Sequence, residues 1–196
     1  SNGVDVVTTD AEGRYELPVR EHFTAFATQP AGYQVPVDSQ NFAQFSYNHS
    51  PEGSTDLKFG GLEPTGETPK AVNFPMAKSA QTALPEQTCP VASDTQTYDK
   101  EEVEYARKGA VADLMARNDY ASCGLLLLGD NVGDDLSLNP DLRELYENAN
   151  GPIRALPGNH DMDYDAKDDE QALDTYRQAF GAPYYSYEVG ETHFVS

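Results

Sequence analysis

Leu125-Leu126-Leu127-Leu128-Gly129-Asp130-Asn131 and Leu156-Pro157-Gly158-Asn159-His160-Asp161 are the two stretches that decide the fold. In the first, an apolar strand stops abruptly at an acid; in the second, a short segment ends in Gly-Asn-His-Asp. Upstream, Val91-Ala92-Ser93-Asp94-Thr95-Gln96 has the same form. Open α/β sheets build their sites where strands run out into loops. Ligands far apart in sequence converge there when the strands are parallel neighbours. An aspartate at a strand end can bridge two cations about 3.5–4 Å apart, as two-metal phosphate chemistry requires. Asn159 offers a neutral oxygen to a hard cation, and His160 beside it could reach a leaving oxygen while staying off the metal.

Working outward, residues 89–196 alternate strand with helix. Strands are expected at Cys89–Ser93, Gly124–Leu128 and Ile153–Leu156. The unbroken leucine run suits a strand buried on both faces. A helix capped by Thr97 or Asp99 should run to about Asn118, with Val103, Ala106, Ala110, Val111 and Leu114 on one face. Asn139 and Pro140 open a second helix that Gly151 closes. Asp168–Phe180 makes a third, and Tyr184–Val189 with Thr192–Ser196 a final hairpin. The alternation implies an α/β class with a mostly parallel sheet.

Residues 1–83 differ. They are rich in Gly, Pro, Tyr and Phe and have no helical period. Val4–Thr9 and Arg14–Val19 read as strands around an Asp10-Ala11-Glu12-Gly13 turn, with Phe23–Thr28 and Ala71–Phe74 as further strands. A small β-sandwich with a long excursion over 36–70 is expected. The polar stretch around Pro85, residues 84–88, reads as the linker to 89–196.

The 33 acidic residues outnumber the 13 Lys and Arg, for a net charge of −20 on 196 residues. Such a field argues against a nucleic-acid groove and admits a small phosphorylated substrate only where bound cations reverse it locally. Mean hydropathy is −0.63, and no stretch nears the roughly 18 apolar residues of a membrane span. Ser1-Asn2-Gly3 leads straight into an expected strand, which leaves room for a leader removed beforehand. Cys89 and Cys123 each precede a strand ending in a proposed ligand. They form either a disulfide at the opposite end of the sheet or two buried thiols.

The loops resemble those of calcineurin-like metallophosphoesterases, whose motifs read Asp-x-His, Gly-Asp and Gly-Asn-His-Asp/Glu. The Thr9-Asp10-Ala11-Glu12-Gly13-Arg14-Tyr15-Glu16-Leu17-Pro18 segment resembles a transthyretin-like, carboxypeptidase-regulatory β-sandwich lacking its first strand. The pairing resembles bacterial exported members with extra terminal domains. The resemblance implies that 89–196 is the first half of an αββα phosphoesterase sandwich. It implies Asp94 and Gln96 on a first divalent ion, Asp130 bridging two, Asn159 on the second, and His160 protonating the leaving group or steadying the phosphoryl. Asp161 and Asp134 would orient these groups from behind. The cofactors would be two divalent ions drawn from Mg, Mn, Ca, Fe or Zn.

Three departures matter. Gln96 stands where the motif has His, a harder and weaker ligand that favours Mg, Mn or Ca over Zn. The acid expected three residues beyond the bridging Asp is Gly133, with Asp134 one later. The family's later His ligands are missing, since only His193 follows His160, so the C-terminal remainder of the protein would complete the site. The expected function is therefore hydrolysis of phosphate mono- or diesters, with this portion alone inactive. The alternative is a non-catalytic surface or binding module on a degenerate phosphoesterase scaffold. Elsewhere, Asp161–Asp165 lacks the glycine and bidentate Glu of a calcium loop and reads as a solvated turn. Tyr47 and His49 read as surface packing, and His22 and His193 as strand residues without chemistry.

Overall fold

The computed structural model describes residues 1–196. In the N-terminal part, β1 (Phe23–Phe26) pairs antiparallel with β3 (Ser46–His49), and β2 (Tyr33–Gln34) with β4 (Ala77–Lys78). Next come β5 (Val91–Ala92), α1 (Lys100–Lys108), α2 (Ala110–Met115), β6 (Leu125–Leu128), α3 (Asn139–Tyr146) and β7 (Ile153–Leu156). The chain ends with α4 (Asp174–Phe180) and the hairpin β8 (Ser186–Val189) and β9 (Thr192–Val195). Strands β5, β6 and β7 form one parallel sheet in that order, with Ala92 level with Leu127 and Leu128 with Leu156. Each crossover is helical, as parallel neighbours require.

Helices α1–α3 cover one face of this sheet. Leu125, Leu127, Ile153 and Ala155 point into that core beside Val103, Val111, Leu142 and Leu145. The opposite face is only partly covered, and Leu128 is 44% exposed. The leucine strand is thus buried on one side, not both. The expected single helix after β5 is divided at Gly109, whose φ of −99° and ψ of −124° leave the helical region. Asp99 caps it, accepting from the Glu102 N–H at 2.9 Å.

In place of a full sandwich, the N-terminal part shows two separate two-stranded sheets. Val4–Thr9, Arg14–Val19 and Ala71–Phe74 carry no strand pairing, although the Asp10–Gly13 turn between the first two closes through Gly13 N–H on Asp10 O at 3.0 Å. Val4 and Val6 are exposed, so the alternation in this stretch has no core to face. Tyr15 instead donates its hydroxyl to Val72 O and stacks on Phe74. Residues 35–45 add to the α/β sheet. Phe42 bridges Ile153 in parallel, with Ile153 N–H on Asn41 O and Ala43 N–H on Ile153 O, both at 2.9 Å. The outer edge of β7 is thereby paired.

Arg154, 2% exposed, projects from β7 toward this N-terminal layer. It donates to Gln29 Oε1 at 2.8 Å and Cys123 O at 3.3 Å, and lies 4.2 Å over the Tyr187 ring. Burial pulls its guanidinium down from the usual range. Phe26, Val35 and Phe45 share a second core with Cys123, Tyr185, Tyr187 and Val189. No helix is long and apolar enough to cross a membrane.

Cys89 and Cys123 form a disulfide with Cα atoms 5.3 Å apart, joining β5 to β6 at the end opposite the motif loops. It closes a loop across a sequence separation of 34, for which chain entropy gives about 4 kcal/mol. Urea unfolding with and without reductant should therefore differ by roughly that amount, and equal midpoints would show the bridge to be dispensable.

Candidate functional site

The strand ladder continues past β5 and β6 into the loops. Asp94 N–H bonds Gly129 O at 3.1 Å, Gln96 N–H bonds Asp130 O at 2.8 Å, and Gly133 N–H bonds Thr97 O at 2.8 Å. A parallel bridge between Thr97 and Val132 completes this run. The first two loops are therefore locked side by side at the edge of the sheet. The third joins them through Asp130, whose Oδ1 accepts the His160 N–H at 3.0 Å.

This packing demands glycine at two points. A Cβ on Gly158 would fall on the Asp130 carboxylate and backbone nitrogen, and one on Gly129 would come within 2.6 Å of Gly158 N. The backbone is strained as well as close. Six non-glycine residues adopt left-handed φ: Asn41, Asp56, Asp94, Gln96, Asp130 and Asp134. Four of them lie in the two loops after β5 and β6. Strain of this kind persists where surrounding structure over-determines it, and it gathers at functional sites.

Behind the loops, Asp161 is 1% exposed and gathers donors from both sides. It accepts from Gly158 N–H at 2.8 Å, from Asn131 N–H and Nδ2 at 3.1 Å each, and from Val132 N–H at 3.4 Å. Burial pushes its carboxyl up, while these bonds pull the other way. Asp161 thus ties the second loop to the third. Asn131 is a partner that its place in Gly-Asp-Asn did not single out, and it also donates to Leu156 O.

On the open side, Asp134 Oδ1 lies 2.7 Å from His160 Nδ1. The hydrogen bond to Asp134 raises the His160 pKa above 6.5. The later placement of the acid is accommodated by the left-handed turn at Asp134, φ 72°. Asp94 and Asn159 are exposed and Gln96, Asp130 and His160 half-buried. Two tyrosines outside the expected set flank them. Tyr98 packs its ring on Gly133 and accepts from Gln96 Nε2 at 3.4 Å, and Tyr164 donates to Asn159 O at 2.7 Å. Their placement depends on loop packing, for which the sequence carries no period.

The donors Asp94, Gln96, Asp130 and Asn159 are oxygen groups suited in kind to a hard divalent ion. No three His, Cys, Asp or Glu side chains gather closely enough to hold an ion by themselves. The Asp161–Asp165 stretch is not the solvated turn expected. Asp163 is 2% exposed and accepts from Lys58 N–H and Asp165 N–H. His49, expected at the surface, is likewise buried, with Nδ1 2.8 Å from Thr65 Oγ1.

Residues 1–63 match the family model described as the N terminal of calcineurin-like phosphoesterase. No curated protein and no solved structure matches the chain.

Two outcomes follow from this geometry. Gly158→Ala should cost about 1–3 kcal/mol of stability through overpacking against Asp130, read as a lowered urea midpoint; an unchanged midpoint would mean the loops are slack. A raised histidine pKa stabilises the fold fully below the unfolded value near 6.5 and loses that contribution as pH rises through the folded value. Asp134→Asn should therefore lower the His160 titration midpoint in NMR, and an unmoved midpoint would break the pairing.

Proposed function

We propose, taking the chain as the calcineurin-like metallophosphoesterase that its residues 1–63 support, that it is a hydrolase of small phosphate mono- or diesters dependent on divalent metal. The observation that carries this reading is the backbone registration that sets the strained loops of Asp94, Asp130 and the His160–Asp134 pair side by side at one sheet edge. Asp94, Gln96, Asp130 and Asn159 would be this chain's contribution to the metal shell. Bound divalent ions would supply a nucleophilic hydroxide and neutralise phosphate charge.

The chain's own residues do the rest. Asp134 holds His160 by Nδ1, which leaves Nε2 to donate a proton to the departing alcohol. Its raised pKa keeps that proton available closer to neutral pH. Asp161 fixes the separation of the second and third loops and so the spacing of Asp130 from Asn159 and His160. The Cys89–Cys123 disulfide supports an exported, oxidising location.

A non-catalytic module on the same scaffold is the second reading, favoured by the absence of a three-ligand cluster. Metal analysis of the full-length protein, with a hydrolysis screen of aryl phosphate monoesters and diesters, separates the two. Hydrolysis is expected to need bound metal, to vanish with its metal in Asp130→Asn, and to fall about 10–100-fold in Asp161→Asn. A folded protein that takes up no divalent ion and hydrolyses neither ester class would establish the second reading.

A further inference from the structure

The first loop of the sheet edge is held from two sides. Its backbone is laced to the second loop through the Asp94 and Gln96 N–H groups, on Gly129 O and Asp130 O. Between those two residues stands Thr95, half-buried, with its hydroxyl 2.7 Å from the hydroxyl of Tyr146. The other side-chain bonds of residues 93–96 stay local, Ser93 to Asp94 and Gln96 to Tyr98, so Tyr146 is their one side-chain tie to a distant element.

Tyr146 is the last residue of α3 and 2% exposed, in the core with Leu142 and Leu145. Packing there needs only the ring, which phenylalanine would supply. A buried hydroxyl adds a desolvation cost that a well-placed partner must offset. Because the core fixes the ring, its hydroxyl offers Thr95 one position. Asp94 at φ 54° and Gln96 at φ 40° make left-handed turns on either side of Thr95. Such conformations persist only where their surroundings over-determine them. Thr95 is the pivot between the two turns, and the bond to Tyr146 ties that pivot to the helical layer.

We propose that Tyr146 is a positioning residue, which through Thr95 sets the turns that present Asp94 and Gln96 to a divalent ion. This role rests on the metal reading of those two residues given above. Tyr146 acts through Thr95 alone, as groups behind a metal ligand do.

Mn²⁺ titration of the full-length protein, followed by EPR, tests the assignment with substitutions at both hydroxyls. Tyr146→Phe and Thr95→Val each remove one hydroxyl, and each should weaken Mn²⁺ binding about 10–100-fold. Together they should weaken it no further than either alone, because both delete the same bond. Thr95→Ser keeps the hydroxyl and should hold the affinity within about twofold. In metal-free Tyr146→Phe, amide exchange should quicken at Asp94 and Gln96 but not along β6. Failure of the unsubstituted protein to take up Mn²⁺ would overturn the metal reading and this role with it. Undiminished affinity or unchanged exchange in folded Tyr146→Phe, additive losses in the double variant, or an equal loss in Thr95→Ser would overturn the positioning role alone.

Discussion

Asp161 carries a carboxylate into a nearly water-free position and surrounds it with N–H groups from Gly158, Asn131 and Val132. Burying a charge is costly unless hydrogen bonds to it are made in full. Here the donors come from two different loops, so the carboxylate can be satisfied only when those loops take one separation. Everything on the open side inherits that separation. Asp130 receives the His160 N–H, and His160 in turn reaches Asp134. A short loop after β7 could otherwise place its imidazole in many ways.

The same spacing explains why the loops are built from glycine and left-handed aspartates. Asp130 and Gly158 approach until no Cβ fits between them. With the backbones in contact, the chain must leave the strand direction within one residue, and left-handed φ at Asp94 and Asp130 achieves the turn. Aspartate tolerates that conformation better than most residues, through its short polar side chain. Gln96 at φ 40° lacks that advantage, and its place is held by the bond from its N–H to Asp130 O.

The parts of the fold visible in the sequence are those with a local cause. Ile153–Leu156 is a strand with the expected bounds, and Gly181 ends α4 with φ 93°. The convergence of the three loops followed from strand parallelism, which the register confirms. Phe23–Phe26 pairs as expected within Phe23–Thr28, whereas Val4–Thr9 and Arg14–Val19 do not, because alternation describes a strand only when a sheet is there to receive it. Residues 35–45 took the edge of β7 through contacts more than 100 positions away in sequence, which no local pattern encodes. The His160–Asp134 pair was half visible. The residues were evident, but the extra position before the acid needed the backbone turn to resolve it.

Electrostatics constrains what this edge can do. Asp94, Asp130, Asp134 and Asp161 stand around it in a chain of net charge −20, and His160 is the one basic side chain bonded among them. A phosphate ester brought to that edge meets repulsion from each acid, and an imidazolium paired to Asp134 returns no net positive charge. Catalytic sites that stabilise phosphoryl transfer aim positive charge at the equatorial oxygens. No lysine or arginine is among the residues bonded there, and in the proposed reaction bound cations, which invert the potential locally, would supply that charge. Under the proposed function the acids that would repel a substrate are the same groups that would hold those cations, so one set of carboxylates would set both the repulsion and its remedy.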